Sequence, residues 1–97
     1  MKYSETEKIE LKKLLNDSFE KEIVAFLNSH DGFIYIGVED NGNIYGVDKL
    51  DETMRKISDI ISNCILPNPQ ELVKVKALYE ENKWIIEIEI KKGNYLY

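Results

Sequence analysis

Four acidic side chains in the first half of the chain have the types and spacing of a hydrolytic site. Glu5 and Glu10 flank the start of a predicted strand, and Glu39 and Asp40 follow a second, strongly apolar one. If the two strands are neighbours, these carboxylates converge, and carboxylates at strand ends can hold Mg²⁺ or Mn²⁺ with a water nucleophile. A chain with 18 acidic residues among 97 also forms such clusters on a solvated surface by chance, so both interpretations stand.

Lysine side chains offer a second kind of chemistry, the binding of phosphate. The candidate nucleic-acid contacts are Lys12, Lys13, Lys74 and Lys76, whose alternative role is that of solvated strand edges. The formal net charge is −5, and nonspecific nucleic-acid affinity comes mainly from phosphate neutralisation. The charge therefore argues against a binding surface that covers the whole chain, and leaves room only for a local basic patch.

Several other function classes find no support in the residues. A phosphate-binding loop needs glycines between a strand and the start of a helix, whereas Gly32 follows a predicted helix and Gly42 lies in a predicted hairpin. His30 has no second histidine with which to share a metal or a catalytic proton. The single cysteine, Cys64, has no partner for a disulfide or a CxxC metal motif.

Hydrophobic spacing predicts the elements that position these side chains. The segment IELKK alternates apolar and charged residues and favours a short strand, although the nearby leucines also fit a helical face. Helical spacing predicts a helix from about Ser18 to Asn28, and the run FIYIGV is typical of a strand buried on both faces. Asn41-Gly42 is the signature of a type I′ hairpin turn, which would lead into a short returning strand, NIYGV.

The second half of the chain continues with one more helix and two more strands. A helix is predicted from Asp51 to Ile65, before Pro67, and the alternating segments VKVKALY and WIIEIEI are predicted strands joined by a turn at Glu81-Asn82. The order is therefore β-α-β-β-α-β-β. It predicts an α+β fold with a mixed or antiparallel sheet packed with two helices.

Length and composition favour one domain over residues 1–97, because a chain of this size with 43% apolar residues can bury one modest core. The apolar pattern is still running at the carboxyl end, so we expect the chain to be part of a longer protein. No segment resembles a signal peptide or approaches the roughly 20 apolar residues of a membrane span. We therefore expect a cytoplasmic protein without a membrane partner.

Several of these motifs together resemble the AlbA_2, or Schlafen AlbA_2, domain family, which is also known as divergent AAA-4. The resemblance covers essentially the whole chain. It departs from the usual family pattern at Asp31, where members have the first of two adjacent glycines. The motifs that carry it are Glu10-Leu11-Lys12, Ala25-Phe26 with Asn28, Gly32, Ile36-Gly37-Val38-Glu39-Asp40, Asn41-Gly42 and Gly46.

The resemblance implies a nucleic-acid-binding module of DNA-binding transcriptional regulators. In vertebrate Schlafen relatives, similar domains form a metal-dependent RNA nuclease built on two glutamates and an aspartate. Carried over to this chain, those catalytic residues are Glu5, Glu10 and Asp40, with Glu39 as the alternative hairpin acid and with Mg²⁺ or Mn²⁺ held by Glu10 and Asp40. A purely structural or homodimerising module is the third hypothesis, since exposed strand edges and several tyrosines favour association.

Overall fold

Two helices and a four-stranded sheet form the framework of residues 3–97, which the computed structural model describes. The predicted α+β class and the order of the elements are confirmed, with two helices packed on a mixed sheet. Neither helix in this part of the chain has the length and apolarity needed to cross a membrane. The elements are β1 Ile9–Lys12, α1 Phe19–Ser29, β2 Gly32–Ile36, α2 Leu50–Asn63, a short 3-10 turn Gln70–Leu72, β3 Val73–Glu80 and β4 Lys83–Ile90.

The sheet has the strand order β1-β2-β4-β3, with β1 parallel to β2 and the other pairs antiparallel. A parallel neighbour needs a crossover connection, and α1 provides it between β1 and β2. Both helices pack on the same face of the sheet. The core between them is formed by Phe19, Ile23, Phe26 and Leu27 of α1, Ile57 and Ile61 of α2, and Ile34, Ile36, Ile86, Ile88 and Ile90 of the sheet.

The opposite face of the sheet, which we call the open face, carries no helix. Strand register arranges its side chains in rows across the four strands, since directly opposed residues point to the same face. One row reads Ile9, Phe33, Glu89 and Lys74. The next row reads Leu11, Tyr35, Glu87 and Lys76. Each row therefore passes from an aliphatic side chain at β1 to a lysine at β3.

The hairpin turn after β2 differs from the predicted type I′ turn at Asn41-Gly42. Only Gly42 has a positive φ, of 90°, and its N–H donates to the carbonyl of Glu39 at 2.8 Å. The β-turn therefore spans residues 39–42, one residue earlier than the predicted turn, and Gly42 has the left-handed conformation at its end. The type I′ conformation occurs instead at Glu81-Asn82, where both φ angles are positive, at 51° and 62°. The predicted turn at that position is thus the tight hairpin of the fold.

The returning segment after Gly42 is reduced to a single bridge between Val38 and Ile44. Gly37, with a φ of 96°, bends the chain out of β2, and its carbonyl accepts the N–H groups of both Tyr45 and Gly46. One carbonyl facing two consecutive N–H groups ends regular pairing in the manner of a bulge. The bend carries Tyr45 away from the sheet and towards the loop that follows β1.

Candidate functional site

Two charged residues of β1, Glu10 and Lys12, lie on the helix-covered face of the sheet. They are opposed by Ile34 and Ile36 of β2, which belong to the core. Charged side chains on such a face must be paired or hydrogen-bonded, because removal of a charge from water is costly. Strand β1 therefore carries charged side chains on the helix-covered face of the sheet rather than on the face without helices.

Lys12 is 8% exposed, and its ammonium group has two partners. The Nζ donates to Ser18 Oγ at 2.9 Å and lies 2.9 Å from Glu22 Oε1. The contact with Glu22 is an ion pair whose geometry is not that of a directed hydrogen bond. Ser18 is the N-cap of α1 and Glu22 lies in its first turn, so the crossover from β1 into α1 assembles this group.

Glu5 and Glu10 are hydrogen-bonded to each other beside this ion pair. Glu5 also accepts the backbone N–H of Leu11 through Oε2 at 3.2 Å. Burial, together with the hydrogen bond to Glu5 and the negative charges of Glu5 and Glu22, raises the pKa of Glu10 to about 7, while Lys12 opposes the shift. A carboxyl group that titrates near neutral pH can donate or accept a proton under ordinary conditions.

The two hairpin acids lie apart from this pair. Asp40 is exposed and makes no side-chain hydrogen bond or ion pair with any residue from 3 to 97, and Glu39 Oε2 lies 4.0 Å from Lys13 Nζ. Across the same residues, no group of three or more histidine, cysteine or acidic side chains is arranged to hold a metal ion. The structure thus brings Glu5 and Glu10 together without Asp40, and the catalytic role assigned to the three stays a prediction.

Lys13 directly follows β1 and borders a groove. Its Nζ is 4.4 Å from the centroid of the Tyr45 ring, a cation–π contact, and Tyr45 is 47% exposed. The groove has a volume of about 620 Å³ and runs between the loop after β1, the segment that contains Tyr45 and helix α2. Its other charged lining residues are Lys49, Lys56, Asp17, Asp48, Glu52 and Asp59.

Lys74 and Lys76 are exposed on β3, at the end of the two open-face rows. Each is directly opposed by a glutamate of β4, Glu89 and Glu87 respectively. Glu87 also accepts the hydroxyl of Tyr35 at 2.9 Å, and burial with this contact raises the pKa of that tyrosine. The two lysines are therefore accessible, but opposing carboxylates offset their charge.

The structure separates the four predicted lysine contacts into three environments. Lys12 is buried and held by Ser18 and Glu22, so it is poorly placed to meet a phosphate. Lys13 borders the groove, and the pair on β3 lies on the open face. Sequence reasoning missed Ser18 and Glu22 as partners of Lys12, because only the crossover brings them together. It also missed Lys49 and Lys56 of the groove, whose positions depend on how α2 is placed.

The mixed four-stranded sheet with both helices on one face defines an α+β domain that holds a polar cluster at one edge. The family model described as Schlafen, AlbA_2 matches residues 5–97. The chain belongs to this family, as its motifs predicted. A comparison with curated proteins finds no match.

Proposed function

We propose that the chain is a nucleic-acid-binding module of a larger, cytoplasmic transcriptional regulator, and that the groove beside Lys13 takes a single-stranded segment. Membership of the Schlafen AlbA_2 family supports a nucleic-acid-related role. The observation that carries the proposal for this surface is the exposed ring of Tyr45 with the ammonium of Lys13 4.4 Å from its centroid. An aromatic platform next to cations is the usual means of holding an unpaired base and its phosphate.

The charges of the groove favour weak and selective binding. Lys13, Lys49 and Lys56 can each contact a phosphate oxygen, but four carboxylates line the same groove. A duplex presents a dense phosphate surface and hides its base faces, so it would meet those carboxylates without gaining a stacking contact. A single strand with a splayed base gains the stacking energy on Tyr45 and needs few phosphate contacts. We therefore expect single strands to bind better than duplexes, with a shallow salt dependence.

Fluorescence anisotropy at low salt tests this surface, with labelled single-stranded RNA, single-stranded DNA and duplex DNA. Tyr45→Ala is expected to weaken single-strand binding about tenfold, since stacking on one aromatic side chain contributes about 1–3 kcal/mol per base. Tyr95→Ala is the matched control, because Tyr95 is also exposed, at 70%, and lies outside the groove. Equal affinities of the wild type and Tyr45→Ala would contradict the assignment of the groove.

Lys13→Ala and the double variant Lys74→Ala/Lys76→Ala separate the groove from the open face in the same assay. The groove assignment predicts that Lys13→Ala weakens binding and that the double variant binds as the wild type does. The reverse result would move the binding surface to the open face. It would leave the nucleic-acid-binding function in place while overturning the role of the groove.

A second candidate function is a divalent-metal-dependent RNA nuclease that uses Glu5, Glu10 and Asp40. The observation that favours it is the hydrogen-bonded pair of Glu5 and Glu10, in which the pKa of Glu10 is raised to about 7. The arrangement of the donors does not favour it. A Mg²⁺ or Mn²⁺ site needs several carboxylate oxygens directed at one point, and Asp40 is not joined to this pair. As arranged here, these residues do not fit a divalent metal site.

Incubation of the single-stranded RNA with the chain in Mn²⁺ distinguishes the two functions. The binding module predicts intact RNA, read on a denaturing gel, together with a retained anisotropy change. Cleavage that requires Mn²⁺ and is lost in Glu10→Ala, in a variant with unchanged circular dichroism, would put the nuclease first.

A further inference from the structure

Strand β3 leaves half of its backbone hydrogen-bonding groups without a partner in the sheet. Directly before the strand, the N–H of Lys91 donates to the carbonyl of Leu72 at 2.8 Å. This contact sets the alternation of the antiparallel ladder, so the even-numbered residues of β3 exchange hydrogen bonds with β4. The N–H and C=O groups of Val75, Ala77 and Tyr79 therefore point away from the sheet. In the described part of the chain, no strand lies on that side of β3.

This edge has few of the features that prevent strands from pairing with one another. It is eight residues long, its register with β4 is continuous, and it contains no proline. Proteins usually interrupt a bare edge with a bulge, a proline, a covering loop or charged side chains. Only the last of these is present, as Lys74 and Lys76. These two lysines restrict which partner can pair and in which register.

We propose that β3 pairs antiparallel with β3 of a second copy of this chain, about a two-fold axis between the two Ala77 residues. In an antiparallel pair, residues whose backbone N–H and C=O groups point outward must lie opposite residues of the same kind on the partner strand. The two-fold axis must therefore pass through a residue position of β3 rather than between two consecutive positions. The two positions closest to the middle of the strand are Lys76 and Ala77. An axis at Lys76 would place two lysines directly opposite each other, which is unfavourable.

An axis at Ala77 produces complementary charges instead. It places Lys74 of each copy opposite Glu80 of the other, on the open face, and the two-fold symmetry makes this pair twice. Two small alanine side chains meet at the axis, where the hydrogen-bonded pair forms. This register pairs nearly all residues of the strand. The charge pattern and the length of the paired segment therefore both favour an axis at Ala77.

The helix-covered side of the same register is also complementary. Tyr79 is 57% exposed, which is unusual for a large ring on the side of the strand that faces the helices. In the proposed pair it lies opposite Val75 of the other copy. Val75 lines a groove of about 400 Å³ between β3 and α2, together with Met54, Ile61 and Val73. The partner's tyrosine ring would cover this apolar groove, and the same contact forms on both sides of the axis.

Light scattering after size-exclusion chromatography, over a range of chain concentrations, tests the association. We expect a mass that rises from one copy to two. Ala77→Pro should remain a monomer at every concentration and keep the circular dichroism of the wild type, because the N–H that it removes points away from β4. Ala77→Ser, which keeps that N–H, is the matched control and should still dimerise. Lys74→Glu should weaken dimerisation about tenfold by creating two like-charge pairs.

Cross-linking tests the register. Ala77→Cys in a Cys64→Ser background should form a disulfide between two copies on oxidation, because opposed residues of a hydrogen-bonded pair lie about 5.5 Å apart at Cα, within disulfide range. Lys76→Cys in the same background should not. A disulfide in Lys76→Cys but not in Ala77→Cys would overturn the register. A monomeric wild type at all concentrations, with no disulfide in Ala77→Cys, would overturn the dimer.

Discussion

The two edge strands of the sheet have opposite characters. Strand β1 has four residues, is joined to the sheet by one parallel neighbour, and carries Glu10 and Lys12 on its helix-covered side. Strand β3 has eight residues, forms an antiparallel ladder over its full length, and presents Val73 and Val75 on that side. Inward-pointing charges are a recognised means of making a strand edge unsuitable for pairing.

The difference indicates how the fold divides its surfaces. At β1 the charged side chains are satisfied internally, by Ser18, Glu22 and Glu5, and they form a polar cluster that can exchange a proton. At β3 the groups without a partner in the sheet are the outward-pointing backbone N–H and C=O groups rather than side chains. One edge therefore has the residues for chemistry or ligand binding, and the other has the hydrogen-bonding groups for association.

The largest expected effect concerns the alternation of hydrogen bonds along β3. Lys76→Pro should reduce the free energy of unfolding by about 3 kcal/mol, because it removes an N–H that donates to β4 and leaves the carbonyl of Glu87 unpaired. Ala77→Pro should cost about 1 kcal/mol or less, since its N–H points outward. Urea denaturation at low chain concentration measures both. Equal losses would mean that β3 has no outward-facing set of backbone groups.

The polar cluster of β1 should respond to the loss of its cation. Lys12→Ala should reduce the free energy of unfolding by about 2 kcal/mol, because it removes a buried cation and leaves the partly buried carboxylate of Glu22 without its ion pair. Lys13→Ala is the matched control, with a side chain that is 50% exposed, and should change stability by less than about 0.5 kcal/mol. If both variants unfold at the same urea concentration, Lys12 is not a structural cation.

A pH-dependent effect should come from Glu10. The native pKa is raised from 4.5 to about 7, so the native state binds more protons than the unfolded state between these two values. The stabilisation linked to the protonated carboxyl is fully present below about pH 4.5 and is lost as the pH rises to about 7. Glu10→Gln should remove this fall and should be more stable than the wild type near pH 8, on the order of 1 kcal/mol.

Urea denaturation of both proteins at several pH values between 4 and 8 checks this expectation. Glu20→Gln provides the control, since Glu20 is an exposed glutamate of α1. Parallel stability curves for the wild type and Glu10→Gln would show that the carboxyl titrates alike in the native and unfolded states.

The smallest effect is expected from the lysines of β3. The double variant Lys74→Ala/Lys76→Ala should change the free energy of unfolding by less than about 1 kcal/mol, because both lysine side chains are exposed and water screens their attraction to the opposed Glu89 and Glu87. Thermal melting monitored by circular dichroism measures the change. A large loss of stability would mean that these lysine–glutamate contacts hold β3 to β4. Side-chain interactions would then stabilise both edge strands, and the contrast between β1 and β3 would not hold.

The elements of this fold follow closely from local sequence. The apolar spacing that predicted the helix from Ser18 to Asn28 corresponds to α1, where Phe19, Ile23 and Leu27 are fully buried. The alternation of WIIEIEI likewise predicted β4. These patterns work because burial of one face is decided by residues close together in the chain. The short strand predicted at IELKK also formed, as β1.

The features that sequence could not supply depend on distant contacts or on turn conformation. The pattern IELKK gives no indication that Lys12 is buried, since that depends on where α1 brings Ser18 and Glu22. The Asn41-Gly42 dipeptide could form a type I′ turn, but the bend at Gly37 changes the geometry of the segments that the turn joins. The contact of Lys13 with Tyr45 likewise arises only from that bend.

The single parallel pairing of β1 has a consequence for the motion of the chain. Strands β2, β4 and β3 form a continuous antiparallel ladder, whereas β1 adds four residues whose strand pairing is with β2 alone. Short edge strands with few backbone hydrogen bonds to the rest of the sheet open before the rest of a protein, and their amides exchange first with solvent deuterium. The amides of Leu11 and Lys12 should thus exchange faster than those of Ile86 and Ile88. Each opening would expose Glu10 and Lys12 together. The opening rate of this strand would therefore change with the protonation of the cluster.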